Sequence, residues 1–481
     1  MRPGLVVLAL AVCGPAAARA QDVAVEPYFS NLTRLEGWSY FDPPPSAPGG
    51  GPGDPDYWFP ANRATLGVRV RGARISVEGA FQYTQLANLP LDAFGPGALG
   101  GGALYAFHAG NDLAFQLYLK RLNLTARSAS GTVALTVGRM AFASGGESDS
   151  GVPAIEAVKR MRLHDRLVGS FDWSQFERAF DGVRLDVRRP GWHVTGAALL
   201  PAQGGFEESA TPTMEQVRVG TVSVTKRPDG PAGQPAEWQV FAYLYDDHRA
   251  VAARPDNTGL RASSVDVTIV TAGASHVGIY PTVRGEADSL VWGAVQGGSW
   301  YGQRHRAWSL AIEGGHRWSG APGRPWVRAG VMQASGDGNG LDDRHTTFFP
   351  MLPTARRYAL SITYTSMNLR DVFAQVLVEP HPRVRTRLDV RRVDLATPAD
   401  RWYAGSGATQ ARSAFFGYAT RPSAGATHFG AVVEGSADVR VTRRWSLNGY
   451  LGVVRGGDVV SRQFAGRVLR FGYVESVFRL P

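Results

Sequence analysis

From Arg74 to Thr84 the chain alternates: Ile75, Val77, Phe81 and Tyr83 share one face of an extended strand, while Arg74, Ser76, Glu78, Gln82 and Thr84 share the other. The same period of two recurs along nearly the whole sequence, in segments of about ten residues. Leu113, Phe115, Leu117 and Leu119 alternate with Gln116, Tyr118 and Lys120. Val183, Leu185 and Val187 alternate with Arg184, Asp186 and Arg188. Val384, Leu388 and Val390 alternate with Arg385, Arg387, Asp389 and Arg391. Phe429, Ala431, Val433, Ala437, Val439 and Val441 alternate with Glu434, Ser436, Asp438 and Arg440. Helical spacing is nearly absent, apart from a short stretch from Ile155 to Arg162. The pattern predicts an all-β protein.

The links between the 18 candidate strands alternate between short and long. Short ones fall at Gly72-Ala73, Arg127 to Gly131, Arg189 to Gly191, Gly320 to Pro325, Pro380 to Pro382 and Thr442 to Arg444. Long ones run over 41–57, 88–109, 143–175, 336–368 and 396–427. A soluble sandwich or propeller has no reason to gather its tight turns at one end, and no propeller-like repeat is visible. An antiparallel outer-membrane barrel does have one: short periplasmic turns, long extracellular loops, an even strand number, and a lipid face alternating with a polar lumen. At 16 to 18 strands such a barrel encloses a water-filled channel.

Composition narrows the picture. The chain has 481 residues, 44% of them hydrophobic and 19% charged, which excludes disorder. No apolar run beyond the first residues is long enough for a transmembrane helix. Those first residues read as a secretory signal over 1–20, with Arg2, the apolar Leu5 to Val12 and the small-residue site Ala18-Arg19-Ala20. A lipoprotein signal at Leu10-Ala11-Val12-Cys13 is the competing reading, set back by the bulky Val12. Cys13 is the single cysteine, so no thiolate chemistry is expected in the mature barrel, residues 21–481. Neither a cofactor nor a nucleic-acid partner is expected of such a barrel.

Charge then points to the solute. The formal charge of +10 drops to +8 when Arg2 and Arg19 leave with the signal, and all basic residues but Lys120, Lys159 and Lys226 are arginine. For the bias alone a GC-rich genome is the plainer explanation, and a surface built to meet carboxylates or phosphates the other; placement is what separates them. On the polar parity of the strands stand Arg69, Arg71, Arg74, Lys120, Arg184, Arg188, Arg385, Arg387, Arg391 and Arg440, against Glu78, Asp186, Asp389, Glu434 and Asp438. A lumen with that excess attracts anions, because low-dielectric walls focus the field. Arginines paired with acids across neighbouring strands are the plainer reading for many of them. Ten histidines are scattered without metal-ligand spacing, and no serine-hydrolase elbow appears. The stretch Ser335 to Asp343 resembles a calcium loop through Asp337, Asp342 and Asp343, but lacks the terminal Glu.

Three further segments carry a resemblance. Gly138-Arg139 precedes Arg166-Leu167-Val168-Gly169-Ser170-Phe171-Asp172-Trp173 and Arg178-Ala179-Phe180-Asp181-Gly182-Val183-Arg184-Leu185. Ala334-Ser335-Gly336-Asp337 leads to Thr347-Phe348-Phe349-Pro350 and Asn368-Leu369-Arg370-Asp371, and Arg392-Val393-Asp394 to Asp400-Arg401-Trp402-Tyr403. Their order and spacing resemble the alginate export proteins of bacterial outer membranes. The resemblance implies an 18-stranded monomeric barrel, embedded in outer-membrane lipid, whose arginine-lined constriction passes an anionic polyuronate. It also implies a periplasmic polysaccharide-secretion scaffold as partner. Carried over by position, Arg139, Arg357 and Arg455 fall on or beside the family's pore cations, and Arg69 and Arg71 near another. Arg139 shares the parity of Val133, Leu135 and Val137, so it reaches the lumen only past a bulge or beyond the strand end. One departure is clear: the family's long periplasmic plug loop before the penultimate strand is reduced here to Thr442 to Arg444. The pore is then gated from outside, by the 88–109 loop for example, or stands open.

The expected function is passive export of an anionic polysaccharide through a pore lined by Arg69, Arg71, Arg139, Arg184, Arg188, Arg357, Arg385, Arg387, Arg391, Arg440 and Arg455. An anion-selective porin for small carboxylates or phosphates is the nearest alternative. An outer-membrane enzyme and a secreted binding module are more distant ones.

Overall fold

The computed structural model of the protein describes residues 23–44, 53–94, 101–227, 234–354, 356, 359–413 and 415–481. The signal segment 1–20 and Arg357 lie outside the described residues.

Eighteen strands follow one another in antiparallel order: β1 Ala24–Ser39, β2 Asp56–Arg71, β3 Ile75–Leu86, β4 Ala114–Arg127, β5 Val133–Met140, β6 Phe180–Arg189, β7 Trp192–Pro201, β8 Val217–Lys226 and β9 Ala236–Asp247. The second half comprises β10 Val267–Thr282, β11 Gly285–Trp300, β12 Gln303–Arg317, β13 Trp326–Ala334, β14 Leu369–His381, β15 Val384–Leu395, β16 His428–Arg440, β17 Trp445–Gly456 and β18 Val468–Leu480. Each pairs with its neighbour in sequence, and β18 returns to β1 along a ladder from Phe29↔Leu480 to Ser39↔Arg470. The sheet is therefore a closed barrel with no free edge, the only form in which strands satisfy their backbone groups inside lipid. No described helix is long and apolar enough to cross a membrane.

The predicted alternation of connections holds. At one end the strands are joined by 72–74, 128–132, 190–191, 283–284, 382–383 and 441–444, and at the other by 87–113, 141–179, 335–368 and 396–427. The tight turn Tyr301–Gly302 is the one short link at the long-loop end. By the rule for bacterial outer-membrane barrels, the short-turn end is periplasmic. Outward-facing Leu66, Val68, Leu117, Leu122, Val240, Val295, Leu388, Val390, Val433 and Leu451 are exposed and make the lipid belt. Trp192, Trp238 and Trp445 stand exposed at the periplasmic strand ends, and Trp58 and Trp308 at the other, as aromatic girdles.

One irregularity places charge. Ala80 of β3 faces Arg121 of β4, while Phe81 faces Leu119, so Lys120 is an inserted bulge residue. A bulge turns two successive side chains toward one side. Lys120 and Arg121 thereby both line the lumen.

The belt sets a test. Val433→Arg, midway along β16 on the lipid face, should cost about 2–4 kcal/mol of folding free energy in vesicles, read by urea titration. An arginine at Ser436, which lines the lumen, should cost far less.

Candidate functional site

A cavity of about 1050 Å³ occupies the periplasmic half of the lumen. It reaches down to the short-turn end at Arg324, Glu379, Arg385 and Arg479, and ends outward against Trp173, Arg356, Leu360 and the face of a helix, α1 Pro153–Arg162, that the long 141–179 loop sends into the barrel. The helix forms where the sequence leaves period two, with Pro153 at its first turn and Lys159, Arg160 and Arg162 at its last, where cations suit the helix dipole. Among the described residues eleven cations line the cavity, Arg34, Arg63, Lys120, Arg121, Arg160, Arg317, Arg324, Arg356, Arg385, Arg387 and Arg479, against five acids, Asp172, Glu177, Glu379, Asp438 and Glu475.

The cations divide by their partners. Arg34 closes on Glu475 at 2.6 Å, Arg63 and Lys120 both on Glu177 at 2.8 and 2.5 Å, and Arg387 on Asp389 at 2.5 Å. Arg324 and Arg385 share Glu379. Burial alone would raise the Glu177 carboxyl, but the Arg63 and Lys120 charges hold it down at about 2. Arg356 binds no described carboxylate: it donates to the Tyr473 hydroxyl at 2.6 Å and lies 4.2 Å from the Tyr450 ring. Arg121, Arg160, Arg317 and Arg479 line the cavity and form no ion pair with a described carboxylate.

Of the arginines singled out from the sequence, Arg385 and Arg387 line this cavity. Arg69 pairs with Glu78 at 2.8 Å and covers the Tyr28 ring, and Arg71 reaches Glu26 at 3.2 Å near the rim. Arg184 closes on Asp186 at 2.8 Å, and Arg391 is fully buried among Asp371, Asp389 and Glu434; both are fastened in the wall. Arg188 and Arg440 are exposed at the periplasmic ends of β6 and β16, Arg440 donating to the Pro382 carbonyl. Two expectations are corrected. Arg139 stays on the outward parity of β5, opposite Leu122, and is held by Asp181 at 2.7 Å. Arg455 likewise stands exposed on the outward face of β17, in the row of Ala431 and Val468. Neither meets the cavity, because no bulge intervenes to turn them inward.

Parity carried further along the strands would have reached Arg317 and Arg479, which share the inward rows of Glu313 and of Tyr473 and Glu475. It misses Arg121 because a bulge is not visible in alternation. It misses Arg160 because a helix in the lumen obeys another period.

Beyond the cavity the lumen is filled by the long loops. Phe171, Phe176, Phe348, Phe349, Met351, Leu352 and Phe416 are buried there as an aromatic plug. The 88–109 loop contributes its own short helix, Gly102–Ala109, whose buried Tyr105 donates to the Gly205 carbonyl, but it is only one of several loops that close the barrel. Arg178 staples three others, donating to the carbonyls of Gly169, Leu352, Ser406 and Ala408. Burial with no carboxylate at hand pushes its guanidinium down to about 10. Arg162 and Arg166 tie the plug to the wall through Glu313 at 2.7 and 3.0 Å. Asp400 clasps two loops, accepting from Asp337 N at 2.8 Å, Arg401 N at 2.7 Å, and the Thr347 and Tyr403 hydroxyls at 2.5 Å each. At the stretch that resembles a calcium loop, Asp337 accepts from Asn339 N, Asp342 from Arg344 N, and Asp343 pairs with Arg304. Among the described residues no cluster of acids, histidines or cysteines is placed to hold a metal.

Residues 114–469 match the family model described as alginate export. No curated protein matches the chain. Solved structures share the barrel at low identity. A BenF-like porin from Pseudomonas fluorescens Pf-5 has a TM-score of 0.57 at 10% identity, with 95% of this chain and 98% of that one covered. Acinetobacter baumannii OccAB1 has a TM-score of 0.57 at 10% identity, covering 94% and 96%. Pseudomonas aeruginosa OpdK, solved with vanillate, has a TM-score of 0.53 at 8% identity, covering 95% and 98%. At such identity the likeness concerns the fold.

Burial pushes the Asp400 carboxyl up to about 6 against the pull of its four donors. A carboxyl raised on folding adds stability that is present at low pH and is lost as pH rises toward the folded value. Thermal unfolding in micelles should therefore show wild type gaining stability relative to Asp400→Asn between pH 6 and pH 4, and no change in that difference above pH 7.

Proposed function

Because the chain belongs to the alginate export family and forms an outer-membrane channel, we propose that it conducts an anionic polysaccharide, alginate-like in its repeated carboxylates, from the periplasm outward. The observation that carries this reading is the periplasm-facing cavity, in which Arg121, Arg160, Arg317 and Arg479 form no ion pair with a described carboxylate. A guanidinium closed on Asp or Glu offers a passing anion little, since its charge is already answered. One facing only water offers a charge-assisted contact of about 1 kcal/mol. Several such contacts reached by one chain multiply as effective concentration, while each remains weak enough to exchange. No bond is made or broken. The polymer advances by trading one guanidinium for the next, and its passage requires the plug loops to part. A periplasmic secretion scaffold would present the polymer at the mouth of a monomeric barrel.

The second reading is a porin for small carboxylates or phosphates. It is favoured by the size of the cavity, which takes a small anion without moving the plug.

Calorimetry on the purified barrel separates the two. An oligouronate of several sugars should bind at least about 100-fold more tightly than the monosaccharide acid. Arg121→Ser with Arg317→Ser should weaken the oligomer by roughly 30-fold, two contacts of about 1 kcal/mol each, and Leu388→Val on the lipid face should not. Raising salt should erode binding of both ligands. Equal affinity per carboxylate, with the arginine changes acting alike on monomer and oligomer, would leave the porin reading.

A further inference from the structure

Arginine also accumulates on the side of the barrel that faces lipid. At the extracellular ends of β14 to β18, the outward positions just beyond the apolar belt carry Arg370, Arg392, Arg455 and Arg470, all exposed. The registers bring them into one band. Arg370 faces Asp394, two residues along β15 from Arg392. Arg392 faces Ala431, which faces Arg455 across β17. Arg455 faces Val468, two residues from Arg470 on β18. Diagonal neighbours of this kind lie roughly 7–8 Å apart, and four strand spacings span roughly 19 Å. One carboxylate lies inside the band: Asp394 holds Arg392 at 2.9 Å and His428 at 2.7 Å. Arg370, Arg455 and Arg470 form no ion pair with a described carboxylate. Directly below, Val372, Val390, Val433, Leu451 and Val474 expose apolar surface.

Four guanidiniums around one central methyl group, set above a strip of bare valine and leucine, describe a site for an amphiphile with an anionic head. The barrel lies in the bacterial outer membrane, and the band lies at the level of its outer leaflet, whose headgroups are phosphorylated sugars. Guanidinium suits phosphate better than ammonium does, because its fork meets two oxygens at once. We propose that this band is a binding site for the phosphorylated glycolipid of the outer leaflet, with one phosphate held by Arg370 and the other by Arg455 and Arg470, while Arg392, closed on Asp394, borders the site. The acyl chains then lie along the valine strip. The small Ala431 at the centre leaves room for the sugar between the two phosphates. The site is separate from the lumen and stands whichever solute the channel carries.

Native mass spectrometry of the full barrel in micelles, titrated with lipid A bearing both phosphates, tests the assignment. Wild type should retain one molecule, and the double variant Arg455→Ser with Arg470→Ser should bind at least tenfold more weakly. Arg370→Ser alone should show a smaller loss. Arg218→Ser, an exposed outward arginine on β8 away from the band, should bind as wild type does. A heat-dependent gel shift, kept by every variant, shows that the barrel has folded. Dephosphorylated lipid A and phosphatidylglycerol should both bind at least tenfold more weakly than the bisphosphorylated form, and inorganic phosphate at millimolar concentration should not displace it. Undiminished binding by the double variant, equal binding of dephosphorylated lipid A or of phosphatidylglycerol, or displacement by free phosphate would each overturn the proposal.

Discussion

A guanidinium leaves bulk water only where its charge and its hydrogens are met by other groups, and this barrel withdraws many of them. The constraint sorts the arginines by what surrounds them. In the wall, Arg391 and Arg328 sit fully buried, each beside more than one carboxylate. In the plug, Arg178 meets carbonyls from three loops. At the cavity, on the outward rim and at the strand ends, others remain exposed. A count of arginines therefore says little about what a solute meets. The partners decide.

The same sorting explains how a barrel wide enough for a channel is nonetheless filled. Aromatic rings alone would pack the loops loosely against a polar wall. The ion pairs from Arg162 and Arg166 to Glu313 fix the helix against β12, and the Asp400 clasp fixes the 335–368 loop against the 396–427 loop. Within the latter, Gly407 and Gly417 take positive φ and pass so close that a side chain on either would strike backbone. Packing, pairing and backbone shape agree on one arrangement.

Much of this could be read from the residues. Period two and the alternation of short and long links indicate the barrel, its strand number and its sidedness, because lipid enforces both. The helix at Ile155 to Arg162 shows as a break in that period. The family likeness rested on segments around Arg166, Asp337, Asn368 and Asp400, and these turn out to build the plug more than the pore wall. Pairing was legible too, though it takes a different reading: Arg184 with Asp186, Arg387 with Asp389 and Arg392 with Asp394 stand two apart on a strand, hence on one face and in contact. What alternation could not show was the bulge at Lys120, which depends on the partner strand, and the orientation of Arg160, which depends on how a long loop folds back.

The seam between β1 and β18 bears on how the molecule comes to exist. Phe29 and Leu480 are paired there, so the wall is sealed by contacts between the most distant parts of the described chain. Joining such remote segments carries the largest entropic cost of any pairing in the sheet and contributes to slow folding. Hairpins between neighbours can form early, but until the seam closes the sheet keeps two open edges, each ready to pair with another chain. The unfinished barrel is thus the form most prone to aggregate, and its safe assembly depends on keeping those edges occupied or shielded during transit to the membrane.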